Sequence, residues 1–201
     1  VAKNVKNRAG TFTSQGYAEL NGHKLGENTQ WLKDDYVKFI RLAQCMIDNN
    51  PQGGVVGYIT NHSYLDNPTF RWMRLSLMKS FNRIYIVNLH GNSRRKEKAP
   101  DGRNDTNIFN IQQGTAIGIF VKNPDMGPTR VFYADVWGTK AEKLEWLSSH
   151  SLDNVEWQEL NPTDPDYFFV PIDTTGAEKY MKYPSIKDIF NVSSTGIVTS
   201  H

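Results

Sequence analysis

Apolar and polar positions divide much of the chain into alternating helical and extended stretches. In residues 31–50, Leu32, Tyr36, Phe39, Ile40, Ala43, Met46 and Ile47 recur near the helical period and form one wide apolar stripe. Lys33, Asp34, Lys38 and Arg41 lie mostly off it, and Asn50-Pro51 with Gly53-Gly54 ends the helix. The stretch 53–81, GGVVGYITNHSYLDNPTFRWMRLSLMKSF, organises the middle of the chain. Residues 55–59 read as a buried β-branched strand. Residues 60–67 are a polar turn. Residues 68–81 predict a helix with Asp66 or Asn67 as N-cap and Pro68 near N1, where its missing N–H costs nothing. Phe70, Met73, Leu77 and Phe81 fall on the core side of that helix, leaving Arg71, Arg74 and Lys79 for solvent or a partner. A second β-branched strand, RIYIVNL, covers 83–89. The order helix, strand, helix, strand predicts two parallel neighbours joined by a right-handed crossover.

The pattern loosens after residue 90. Residues 90–106 form a long polar loop with Arg94, Arg95, Lys96, Lys98 and Arg103 against Glu97, Asp101 and Asp105. A loop of that length is commonly functional or mobile. Its cations suit a phosphate backbone, and a solvated excursion accounts for them equally well. Two short apolar segments, 107–111 and 115–122, come next. The second is a strand that would form an antiparallel hairpin with the preceding one at the sheet edge. Residues 130–135 (RVFYAD) predict a further strand, and 140–149 an amphipathic helix with Leu144 and Leu147 inward. From residue 155 the texture becomes irregular, with a short helix over 180–190 broken by Pro184. Residues 1–30 lack periodicity and read as a polar arm outside the core, with disorder an alternative for the first dozen. There Lys3, Lys6, Arg8 and Lys24 admit a phosphate-contact or a solvated-face reading.

Composition narrows the class without naming a function. The 201 residues allow one large domain or a domain with an appendage. Lys+Arg 23 against Asp+Glu 21 is nearly balanced, so net charge alone does not announce nucleic acid. Cys45 has no disulfide partner and reads as a small buried thiol. No apolar run approaches the ~20 residues of a membrane span, the first 30 residues are too polar for a signal peptide, and a cytoplasmic setting is expected. The first residue is Val1, and a piece of something longer is expected.

Candidate chemistry is thin. His23, His62, His90, His150 and His201 show no ligand spacing, so no metal is expected. There is no G-x-S-x-G nucleophile, no Walker A and no G-x-G-x-x-G. In open α/β sheets ligands bind beyond the strand carboxyl ends. The first functional address is therefore Thr60, Asn61, His62, Ser63 and Tyr64, at the end of the first strand.

The order of motifs then matters. The helix DDYVKFIRLAQ, the strand GGVVGYITNHSYL, the F-x-x-x-R helix, the strand RIYIVNLHGN and the segment NIFNIQQGTAIGIFVK succeed one another. This resembles the catalytic domain of γ-type N6-adenine DNA methyltransferases, in particular that of single-chain Type ISP and Type IIG restriction–modification enzymes. The phrases YITNHSYLDNPTFR, LHGNSRRKEKAPDG and IQQGTAIGIFVK carry the likeness, which runs from about residue 25 through FVPIDTTG and SIKDIFNVSSTGIVT. Two departures stand out. The family's glycine-rich motif for S-adenosylmethionine is absent, and so is N-P-P-Y/F, which holds the extruded adenine. The Asn-Pro pairs at 50–51, 67–68, 123–124 and 161–162 lack a following Pro-Tyr.

The resemblance implies a fold class of α/β: the C-terminal half of a Rossmann-like methyltransferase sheet, mixed through an antiparallel hairpin strand, plus an irregular extension. Its divisions are a polar arm over 1–30, the half-domain over 31–137, and an extension toward a target-recognition domain over 138–201. It implies S-adenosylmethionine as cofactor of the full enzyme. Double-stranded DNA and the missing N-terminal half of the methyltransferase domain are the implied partners, and the chain alone is expected to be inactive. Phe39 would match an aromatic at the cofactor's adenine, and Phe109 one packing on the extruded base, where stacking is worth roughly 1–3 kcal/mol. Asn61, His62 and Tyr64 would be pocket-wall residues without assigned roles, facing a wall outside this chain. Arg94, Arg95, Lys96, Lys98 and Arg103 would lie on the DNA side. Methyl transfer of this kind needs no metal; the protein chiefly positions amine and methyl group. Two other readings stay open: a non-catalytic DNA-binding or specificity module on the same scaffold, and an unrelated α/β nucleotide-binding protein.

Overall fold

The computed structural model describes residues 17–20, 23–26, 28–173, 175–180, 182–184 and 186–190. Lys3, Lys6 and Arg8 of the arm, and most of the motif SIKDIFNVSSTGIVT, lie outside them. Residues 1–171 and 172–201 form two units. The second holds two single-turn helices, α4 (Ala177–Tyr180) and α5 (Ile186–Ile189), in place of the one expected over 180–190. The main sheet and the cleft at its strand ends belong to the first unit.

Five strands form that sheet: β3 (Gly54–Asn61), β4 (Arg83–His90), β5 (Thr115–Lys122), β6 (Arg130–Asp135) and β7 (Gln158–Leu160). Their order is β3-β5-β4-β6-β7. The mixed sheet with an antiparallel hairpin strand is as expected, but its order corrects two details. β5 is not at the edge. It lies between β3 and β4 and pairs antiparallel with both, so those two strands run in the same direction without touching. Among the described residues the one parallel pair is β4 with β6. The hairpin return from β4 uses the side nearest β3, which leaves β4's other side for β6.

Among the described residues β3 is therefore an edge strand. Its exposure alternates, with Val55 and Ile59 on an open face and Val56 and Tyr58 turned inward. The buried strand expected there is covered on one face only. Helix α1 (Asp35–Asp48) supplies that cover, preceded by a 3-10 turn over Gln30–Lys33. It buries Val37, Ile40 and Gln44, while Met46, expected in the stripe, is exposed. Gln44 is the polar member of that face. It accepts from Tyr17 Oη at 2.7 Å and donates to Ser76 and Ser80 of the next helix. Cys45 is half-buried.

Helix α2 (Arg71–Ser80) comes after a 3-10 turn capped by Asn67, whose side chain accepts from Thr69 N–H at 2.9 Å, with Pro68 at the first turn. Phe70, Met73, Leu77 and Phe81 are all buried, as expected, each worth about 1.5–3 kcal/mol of transfer free energy. Arg74 is not free for solvent. It is completely buried and donates to the carbonyls of Tyr64, Asn67 and Asp166 at 2.6–2.9 Å. A guanidinium can satisfy several carbonyls in its plane at once, which is how the charge is tolerated inside. Burial lowers its pKa to about 10, so it stays protonated at neutral pH.

The arm contributes more than expected. The short strands β1 (Glu19–Leu20) and β2 (His23–Lys24) pair, and Tyr17 and Leu25 beside them belong to the core formed with α1, α2 and one sheet face. On the other face Val87, Leu89, Ile108 and Val136 pack with Trp146 and Leu147 of helix α3 (Lys140–Ser149). Leu147 is inward as expected, but Leu144 is half-exposed, and the fully buried side chain of α3 is Lys143.

Candidate functional site

The carboxyl ends of β3, β4 and β6 meet at a cleft of ≈ 270 Å³, lined among others by His62, Asn88, His90, Glu97, Asp135 and Trp137. All but Glu97, which comes from the loop after β4, stand at or just beyond the point where an apolar strand runs out. His62 opens a 3-10 turn after β3, and its backbone N–H donates to Gly114 O at 3.0 Å. Gly114 has to lack a side chain, because a Cβ there would collide with the His62 ring.

A continuous hydrogen-bond network fixes the site. His62 Nδ1 meets Asn88 Oδ1 at 3.1 Å, and Asn92 Nδ2 meets His62 Nε2 at 3.1 Å. Asn88 Oδ1 also accepts the His90 backbone N–H, while Asn88 Nδ2 donates to Tyr133 Oη. Asn88 thus presents oxygen to His62, and the His62 proton sits on Nδ1. Tyr133 Oη donates to Asp135 Oδ1 at 2.5 Å, and His90 Nε2 reaches the same oxygen at 2.5 Å. Desolvation holds His62 below the usual histidine pKa, against the raising effect of its Asn88 bond, so its neutral form is favoured. Desolvation likewise pushes the Tyr133 phenol far above its ordinary value, with the Asp135 charge adding to it.

His90 stands at a left-handed backbone position, φ 49°, followed by Gly91 at φ 79°. This bend stacks its ring on Trp137, with centroids 3.3 Å apart. Its Nδ1 is buried and, among the described residues, has no hydrogen-bond partner; Glu97 Oε2 lies 4.0 Å from it. One ligand atom from each of His62, His90 and Glu97 lies within 4.8 Å of the others. Sequence spacing misses this grouping because the two histidines end different strands.

The expected site residues fall in different surroundings. Of the three pocket-wall candidates, His62 lines the cleft. Asn61 accepts from the Ser63 N–H and hydroxyl as the cap of the 3-10 turn, and Tyr64 is buried in the core. The facing side of the cleft comes from this chain, through the ends of β4 and β6 with Val170 and Pro171. Phe39 is half-buried, its ring edge-on to Tyr58 at 6.4 Å. Phe109 is exposed on a loop anchored by Asn107, which donates to Gly91 O and Gln113 O and accepts the Phe109 N–H.

The basic loop is built of turns rather than being structureless. Asp105 accepts the N–H of Gly91 and of Gly138, and Lys98 bridges to Asn104. Arg94 donates to Gln112, Arg95 pairs with Asp66 at 2.7 Å, and Arg103 pairs with Asp101 and Glu142. Lys96 is exposed. Sequence reasoning misses Asn88, Tyr133, Asp135 and Trp137. Their signal is a polar or aromatic residue at the carboxyl end of an apolar strand or just beyond it.

Among the described residues, no helix is long and apolar enough to cross a membrane. No family model matches the chain, and no curated protein matches it. Solved structures do. The chain is similar to the ATP-dependent Type ISP restriction-modification enzyme LlaBIII bound to DNA, with 28% identity and a TM-score of 0.70 over 86% of this chain and 11% of that one. It is also similar to a nuclease-deletion mutant of the Type ISP restriction-modification enzyme LlaGI in complex with a DNA substrate mimic, with 27% identity and a TM-score of 0.69, covering 85% and 16%. The structure of a DrdV–DNA complex shares the fold at 24% identity and a TM-score of 0.66, covering 86% and 16%. The likeness therefore takes in most of this chain and, at 11–16% of their length, one part of each of these much larger proteins.

Proposed function

We propose that this chain is part of a site-specific adenine-N6 DNA methyltransferase of a Type ISP-like restriction–modification enzyme, the part that follows the catalytic N-P-P-Y motif. The observation that carries the reading is the likeness, over 86% of the chain, to a Type ISP enzyme solved on DNA. The sequence phrases point the same way, as does a mixed sheet with an antiparallel hairpin strand. Among the described residues β3 pairs on one side only, which suits continuation of the sheet into the N-terminal half of the domain, since natural sheets rarely leave a long strand edge bare.

In this reading the DNA is duplex, the enzyme is cytoplasmic, and S-adenosylmethionine is the methyl donor of the full enzyme. The residues present do not make a cofactor site by themselves: the glycine-rich turn is missing, and Phe39 offers only part of one ring. No methyl-transfer step belongs to this chain alone. Its share is recognition. Phe109, exposed on an anchored loop, offers a face to the extruded adenine, Arg94, Lys96 and Lys98 offer charge to phosphates, and Arg95 and Arg103 would do so on exchanging their carboxylate partners for phosphate. His62 and the cleft beside it would adjoin the base, with Asn61 and Tyr64 shaping the turn behind it.

The absence of N-P-P-Y/F favours one alternative, a DNA-binding module without catalysis. Transfer of labelled methyl groups from S-adenosylmethionine to adenine N6 by the complete enzyme separates the two readings.

A further inference from the structure

His62 and His90 each commit one ring nitrogen to an oxygen acceptor. His62 Nδ1–H donates to Asn88 Oδ1, and His90 Nε2–H donates to the Asp135 carboxylate. That leaves His62 Nε2 and His90 Nδ1 as the basic nitrogens. Among the described residues His90 Nδ1 has no hydrogen-bond partner, although its side chain is only 8% exposed. Glu97 Oε2 lies 4.0 Å from it, and Asn92 bridges the group, giving its side-chain amide to His62 Nε2 and its backbone N–H to Glu97 Oε2.

We propose that His62 Nε2, His90 Nδ1 and Glu97 Oε2 form a three-ligand site for a divalent transition metal, with zinc the best match and a fourth position open to the cleft. Two imidazoles and one carboxylate are a zinc donor set, and three protein ligands leave room for a water or ligand. Donors held about 2.1 Å from one ion stand about 3.4 Å apart at the tetrahedral angle. The 4.8 Å limit on this group asks each donor to move inward by about 0.8 Å at most. Glu97 stands on the turn over 92–97, where its Oε2 accepts the Asn92 backbone N–H at 2.9 Å. The outer hydrogen bonds are those a metal site needs, because an acceptor on the far nitrogen fixes each ring and raises its basicity. Asn92 Nδ2 is the group an ion would displace.

Such an ion would pin the turn over 92–97 to the ends of β3 and β4. The proposal goes beyond the methyltransferase reading and does not depend on it.

The test uses the full chain, freed of metal with a chelator. Zinc binding is followed by calorimetry near neutral pH, and cobalt binding by visible absorption. One equivalent should bind, with cobalt bands of a low-coordinate site. Glu97→Gln and His90→Ala should weaken binding by more than the roughly 10–100-fold expected for the outer-shell change Asp135→Asn. Asn92→Ala should bind zinc at least as well as the parent. Zinc should raise the melting temperature of the parent and not that of Glu97→Gln, a variant that keeps the side chain's size. Absence of saturable one-equivalent binding overturns the proposal. So does binding that is unchanged in both Glu97→Gln and His90→Ala, which would assign the metal to other residues.

Discussion

Lys143 Nζ lies 2.6 Å from Asp105 Oδ1, and neither side chain exposes any surface. The ammonium also donates to Leu89 O at 2.7 Å and Thr106 O at 2.8 Å, while the carboxylate accepts the N–H groups of Gly91 and Gly138. One buried pair therefore ties α3, the end of β4 and the polar loop together. Removing one partner leaves the other charge buried and unpaired, which costs about 3–5 kcal/mol. Lys143→Met should lower stability by that amount in urea unfolding; an unchanged midpoint would mean that the pair is idle.

Arg74 is a second internal anchor, joining α2 and the 3-10 turns to Asp166. Arg74→Met strips the donor from three carbonyls at about 1–3 kcal/mol each, a loss of at least about 3 kcal/mol. Arg74→Lys keeps the charge but not the planar fork, and should fall between the parent and Arg74→Met. Equal stability of the parent and Arg74→Lys, measured by chemical denaturation, would show that charge alone matters there.

Gly114 faces the His62 ring, whose two nitrogens are held by Asn88 and Asn92. Gly114→Ala should destabilise by about 1–3 kcal/mol through overpacking. Adding His62→Ala should recover part of that loss, and purely additive changes in thermal unfolding would contradict the contact.

Helix α3 begins with a capping box between Thr139 and Glu142. Hydrogen bonds from the Thr139 backbone, then from its hydroxyl, hold the Glu142 carboxyl below its usual 4.5, with Arg103 adding to them. A folded-state value below the unfolded one gives a contribution present in full above about 4.5 and lost as pH falls through the folded value. Thr139→Ala removes the hydroxyl donor only. Glu142 should then titrate closer to 4.5 in carboxyl-detected NMR, and an unmoved titration would dismiss the hydroxyl's share.

Local patterns carry much of the fold. The strand RVFYAD over 130–135 and the helix over 140–149 match the structure to the residue, because each is a patterned run bounded by turn residues. The position of β5 is not legible, since both choices of side give β4 the same hairpin and only packing selects the gap next to β3. The burial of Arg74 and Lys143 escapes the sequence for one reason. A cation on a helix goes inside only where distant carbonyls or carboxylates gather around it. For Arg74 these include Asp166 O, 92 positions away, and for Lys143 they include Leu89 O, 54 positions away. The strand-end rule locates His62. The rest of its network, Asn88, His90, Tyr133 and Asp135, comes from other strands and forms only when β4 and β6 lie parallel.

DNA methylation is the central claim, and one measurement addresses it most directly: N6-methyladenine formed in duplex DNA by the complete enzyme with labelled S-adenosylmethionine, for the parent and for Phe109→Ala. The account predicts label at adenine N6 in the parent, and a loss of turnover in the variant corresponding to roughly 1–3 kcal/mol of stacking, with less 2-aminopurine fluorescence at the target position. No label at adenine N6 in the parent would contradict it.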